Sequence, residues 1–268
     1  MKHRALVRLV PATLAIAAMV PAALAASSSQ PHGARLLPDL DQEPPTGLII
    51  TSSHQSWNLG FNSAARNVGS GPLIITGHRP SHAQKTMTAD QTIDLTSGPS
   101  DVVHGTGHLR YVKSVDHQHW HLLRFERYEL RRVGAKRPAV RDHKTGFCLG
   151  DRYAVPDPPV LAARAPEKVY RGACGLERPG LLGVKEGISV GWGDDYAANL
   201  EGQYLPLSHL RRGRYLLVHR VNADHRLLES SYANNTASLL LRLRWRDGIP
   251  RIRILAVCAD SERCRAGR

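Results

Sequence analysis

The chain has 268 residues, 42% of them hydrophobic and 22% charged, with a formal net charge of +13. A chain of this length and composition can bury a sizeable core, which excludes a disulfide-scaffolded mini-protein and a disordered tail. Its basic residues are mostly arginines spread along the chain without a nucleic-acid-binding motif, so no nucleic-acid partner is expected, while the field of such a surface favours polyanions or acidic partners.

Residues 1–25 have the pattern of a secretory signal peptide. Lys2, Arg4 and Arg8 open it, an apolar run extends from Leu9 to Leu24, and Ala23-Leu24-Ala25 is a small-x-small cleavage site. The run is short for a bilayer span and is broken by Pro11 and Pro21, so the expectation is secretion, with no membrane attachment once the signal is removed. Residues 26–46, rich in Ser, Pro, Asp and Gln, read as a flexible lead-in to a single domain over 47–268.

From Gly47 the signals are strand-like. Leu48–Thr51 and Pro72–Thr76 are short β-branched runs, with Gly69, Gly71 and Pro72 marking a turn between them. Leu109 to Val133 holds two strand-length pieces. The stretch from Gly134 to Gly187 is rich in proline and poorly periodic, and reads as long loops of the kind that carry function. Gly213 to Asn222 reads as a strand. Leu239 to Arg246 and Arg251 to Ile254 alternate apolar and arginine residues on either side of Asp247-Gly248, a hairpin whose arginines should face water. Long amphipathic helices are missing from the pattern, so the fold class expected is all-β, a β-sandwich-like domain with long loops and little helix. The four cysteines, an even count in an exported chain, suggest two disulfides. Cys258 and Cys264 are near enough to close a small loop, which leaves Cys148 with Cys174.

The most informative segment is Asp116-His117-Gln118-His119-Trp120-His121. Alternate residues of a strand share a face, and three imidazoles on one face suit copper or zinc better than a core or a plain surface. On a straight strand the outer two histidines would be about 13 Å apart at Cα. A histidine holds a metal roughly 6 Å from its Cα, given a metal–nitrogen bond near 2 Å. The strand is therefore expected to bend, or one ligand to be loose, with His104 and His108 as nearby substitutes.

With that motif in view, the sequence resembles the lysyl oxidase family, whose His-x-His-x-His copper motif is followed by a phenylalanine and a tyrosine, here Phe125 and Tyr128. The resemblance continues through His143-Lys144-Thr145-Gly146-Phe147-Cys148-Leu149-Gly150-Asp151, through Gly187–Gly191 with Asp195-Tyr196-Ala197-Ala198-Asn199, and through Glu229–Asn235. It runs from about residue 110 to 245, and Asn67–Leu73 upstream is similar too. It implies copper on His117, His119 and His121, and a lysine tyrosylquinone made by oxidising Tyr196 and adding the amine of Lys144. It implies a secreted copper-dependent oxidoreductase that converts primary amines, protein or peptide lysine above all, to aldehydes with dioxygen, releasing hydrogen peroxide and ammonia. A carboxylate should take the α-proton, with Asp151, Asp194 and Asp195 as candidates. Cys148 and Cys174 match one family disulfide in position, whereas animal members carry more cysteines around this domain. The alternative from another class is a non-enzymatic extracellular module, copper-binding or immunoglobulin-like, which would need neither Lys144 nor Tyr196.

Overall fold

A computed structural model describes residues 33–53, 56–114, 118–142, 146–155, 168–200 and 202–266. In chain order the strands are β1 (Arg35–Leu36), β2 (Leu40–Gln42), β3 (Thr46–Ser53), β4 (Ser56–Asn67), β5 (Leu73–His78), β6 (Thr86–Leu95), β7 (Asp101–Lys113), β8 (Gln118–Leu123) and β9 (Glu126–Arg132). They continue with β10 (Val140–Arg141), β11 (Gly146–Phe147), β12 (Tyr153–Ala154), β13 (Gly183–Ile188), β14 (Trp192–Tyr196), β15 (Tyr204–Pro206), β16 (Gly213–Val221), β17 (Thr236–Arg246) and β18 (Ile249–Cys258). The all-β class expected from the sequence is what the described residues adopt, and they include no helix long and apolar enough to cross a membrane.

Three antiparallel sheets share the core. One runs β11-β8-β7-β6-β5-β13, with β1 beside β6; a second runs β10-β9-β16-β17-β18; the third is built around β4, which pairs with β2, β3, β14 and β15. Alternation explains the placement. In β17, Leu239, Leu241 and Leu243 join the core while the residues between them point away. The β17–β18 turn falls on Asp247-Gly248, both at positive φ (52° and 75°), the geometry of a tight two-residue hairpin turn. The core joins residues of all three sheets, among them Leu59, Phe61, Leu109, Trp120, Tyr128, Phe147, Tyr196, Leu217 and Leu241.

One expectation needs correcting. Residues 33–46 are not a flexible lead-in: they form β1 and β2, bury Leu40 completely, and send the Gln42 side chain to the His219 ring 3.0 Å away. An apolar anchor every few residues was enough to dock a segment whose composition looked like a linker. The signal-peptide region lies outside the described residues. Both cysteine pairs are joined, Cys148–Cys174 and Cys258–Cys264.

Two side chains act as knots. Asn67, fully buried, donates to the carbonyls of Gly71 and Ile188 and accepts from the amides of Asp39 and Gly69. Glu229 accepts from the Leu40 amide (2.6 Å), Asn222 (2.6 Å) and Asn235 (2.8 Å), tying β2 to the loops around β16 and β17.

Candidate active site

Strand β8 sets the histidines. Trp120 and Leu122 face the core, so His119 and His121 face the other way. Their rings lie side by side, centroids 4.7 Å apart and tilted by 43°, with His121 buried and His119 half-buried. His117 lies outside the described residues. On β7, Arg110 sits opposite His121 and Val112 opposite His119, which puts His108 on the same face, one pair further along. His104, the other substitute, is instead on an exposed surface pair with Asp90 at 2.9 Å. Two imidazoles on one face, one of them buried, are donors that suit copper.

Strand β11 connects this face to the tyrosine. Gly146 pairs with Leu123 and Phe147 with Leu122, and a Cβ on Gly146 would meet the His121 Cβ at 2.8 Å, so only glycine lets β11 lie this close. Phe147 points to the core side, where its ring meets that of Tyr196 edge-on at 4.9 Å. Lys144 lies outside the described residues, two positions before Gly146. The structure thus brings His119 to His121, and Tyr196 to the end of the lysine segment, with the imidazoles and the tyrosine on opposite faces of the β8–β11 pair.

Tyr196 is buried among charges. Its hydroxyl lies 2.6 Å from the Cys148 carbonyl and 3.0 Å from Asp194 Oδ2. Arg152 bonds Asp194 closely, donates to the same Cys148 carbonyl at 3.3 Å and stacks its guanidinium 5.2 Å from the Tyr196 ring centre. The phenol has one hydrogen for two acceptors, so both contacts are met at once when Asp194 carries a proton and donates it. Burial pushes the Asp194 carboxyl up to about 7, with the charge on Glu126 adding to it and Arg152 opposing. Burial, then the charge of Asp194, raises the Tyr196 phenol well above its ordinary value. Glu186, on β13, is also buried and is pushed well up by burial and by Asp194.

The three candidate carboxylates are placed differently. Asp151 is closed off: it accepts from the amides of Val169, Tyr170 and Ser189 and from the Ser189 hydroxyl. Asp195 alternates to the exposed face of β14. Asp194 alone reaches Tyr196. Sequence reading missed Arg152, Phe147, Glu126 and Glu186. It also missed the buried chain behind them, in which Gln42 donates to His219 Nδ1, so that His219 Nε2–H donates to Glu126 at 3.1 Å, and Tyr128 bonds Glu126 and Gln203.

The lysyl oxidase family model matches residues 97–248, more than half of the chain. The chain is 29% identical over 129 residues to protein-lysine 6-oxidase of Rattus norvegicus, covering 47% of this chain and 27% of the rat protein. Against protein-lysine 6-oxidase of Sus scrofa it is 28% identical over 129 residues, 47% of this chain and 44% of the relative. Against lysyl oxidase homolog 1 of Homo sapiens it is 27% identical over 123 residues, 44% and 18%. These matches span less than half the length of each relative, while the family model takes in β8, β11 and β14 with His119, His121, Arg152, Asp194 and Tyr196: this chain belongs to the lysyl oxidase family.

Proposed function

We propose that this chain is an exported copper-dependent amine oxidase that converts the side-chain amine of protein or peptide lysine to an aldehyde. The balance is one amine, one dioxygen and one water consumed for one aldehyde, one hydrogen peroxide and one ammonia. His117, His119 and His121 would hold copper, and Lys144 with Tyr196 would form the quinone; together these groups would supply the oxidation by dioxygen. The observation that carries the reading is the environment of Tyr196: a buried phenol on a carboxyl poised near neutrality, packed on the residue that ends the Lys144 segment. A binding module has no use for that arrangement.

The chain's own residues have definite work. Asp194, poised near pH 7, is matched to take a proton from the carbon next to the substrate nitrogen and return it later. Arg152 holds Asp194 in place and balances its charge once deprotonated. The Cys148–Cys174 bridge fixes the carbonyl that positions the phenol.

The test is peptide mass spectrometry on residues 26–268 after loading with copper in air. A covalent link between the peptides carrying Lys144 and Tyr196, dependent on copper and oxygen, is the expected result. Both peptides free in a folded, copper-loaded sample would overturn the enzyme reading in favour of the copper-binding module.

A further inference from the structure

The outer face of the β9-β16-β17-β18 sheet has two unlike halves. At one end Arg127, Arg131 and Arg220 are neutralised by Asp224, Glu129 and Glu262, and residues 259–266 lie over the sheet, Ser238 bonding the Ser261 carbonyl and Glu262 bonding Arg131 and Arg220. The other half is bare and carries a ladder of arginines. Arg214 on β16 sits opposite Arg242 on β17, which sits opposite Arg253 on β18; beside them Arg244 faces Arg251. Among the described residues none of these five takes part in an ion pair, and four are exposed, with Arg242 half-buried.

Like charges directly opposite on a sheet oppose folding, so the ladder does nothing for this domain by itself. Arginines on an edge strand deter unwanted strand pairing, which accounts for Arg251 and Arg253. It does not account for Arg214, Arg242 and Arg244, which lie on β16 and β17, inside the sheet. The spacing is regular: adjacent strands ~4.8 Å apart, and like-facing residues along a strand ~6.7 Å apart. Planar guanidinium forks held on such a grid match rows of sulfate or carboxylate oxygens, two hydrogen bonds at a time.

We propose that this face is a binding site for an acidic polysaccharide, one that anchors the protein to a polyanionic matrix independently of its oxidase site. Nucleic acid fits less well. Trp245, the aromatic of this hairpin, turns inward and donates to the Leu210 carbonyl, so no aromatic platform for bases stands among the arginines.

The experiment uses the full exported chain and heparin as the probe, measuring affinity across a salt series. It compares R214Q/R242Q/R253Q with R124Q/R127Q/R131Q, which removes the same charge from the neutralised end, where Arg124 also pairs with Asp224 at 3.2 Å. The ladder variant should bind at least about tenfold more weakly, with the slope of log affinity against log salt falling by about two to three. The matched variant should lose less than about threefold, and circular dichroism should show both variants folded at the assay temperature. Equal losses in the two variants would show diffuse net charge rather than a site. No binding to heparin by the parent, or tighter binding to a duplex oligonucleotide of equal charge, would likewise overturn the proposal.

Discussion

Replacing Asp194 with asparagine tests the electrostatics of the site directly. Asp194 is 1% exposed, and its carboxyl is raised from 3.8 to about 7, burial being the largest cause. Between those two values the folded chain holds a proton that the unfolded chain has released. Stability therefore falls as pH rises from about 4 to about 7, and the loss is complete above the folded value. Three units at about 1.4 kcal/mol each put the full loss at about 4 kcal/mol. A side-chain amide cannot titrate, so the D194N curve lacks this drop. The substitution also relieves Glu186, whose carboxyl is held up by burial first and by the charge of Asp194 second. Urea unfolding of both proteins with disulfides intact, followed by tryptophan fluorescence at pH 4.5, 5.5, 6.5 and 7.5, reads the difference. Its change across the series should be about 3–4 kcal/mol, the parent losing ground with rising pH. Parallel curves would refute the reasoning: Arg152 would then outweigh burial, and Asp194 would be ionised throughout.

Other consequences can be checked separately. Amine oxidation should rise with pH through an acid limb near 7, and D194N should lose about 10²–10⁴-fold in rate while still binding copper. E126Q should move that limb to lower pH, because the Glu126 charge helps raise Asp194. E229A should cost about 3–5 kcal/mol in urea unfolding, since three buried donors lose their acceptor, and E229Q, which keeps one, about 1–2 kcal/mol. G146A should lower copper affinity about tenfold by titration calorimetry, since the new methyl presses on His121; an unchanged affinity would mean that β11 does not set that ring.

What the sequence disclosed was what short-range patterning can carry. The β17–β18 hairpin, the β16 strand, the shared face of His119 and His121 and both disulfide pairings were legible, because alternation, turn residues and small cysteine loops leave few alternatives. The surroundings of Tyr196 were not. Arg152 and Glu126 look like surface charges in sequence, and only the tertiary fold lays Arg152 on the Tyr196 ring, many residues away, and buries Glu126 against His219. Choosing among Asp151, Asp194 and Asp195 likewise needed tertiary structure: the first is saturated by donors, the third is turned outward by one step of strand alternation. The docking of residues 33–46 was hidden by a composition that resembles a linker.

The segments that carry the family resemblance divide into two kinds of work. Asn67, Asp151 and Glu229 accept or donate several hydrogen bonds each and touch no reacting group; they hold β2, β4, β13 and the loops after β16 in register. Asp194, Glu126 and Glu186 are buried acids, Asp194 feeling the charge of Glu126 and Glu186 that of Asp194, an arrangement that opposes folding at neutral pH. The first group makes the second tolerable. Strand β14 presents Asp194 and Tyr196 together because it is clamped to β4, and β4 is clamped in turn by β2, β3 and β15. A carboxyl in that frame cannot turn out to water, so its affinity for a proton rises instead. The rigidity contributed by the knots is thus what tunes the Asp194 carboxyl, and loosening a knot such as Glu229 should lower the pH of the acid limb as well as the stability of the fold.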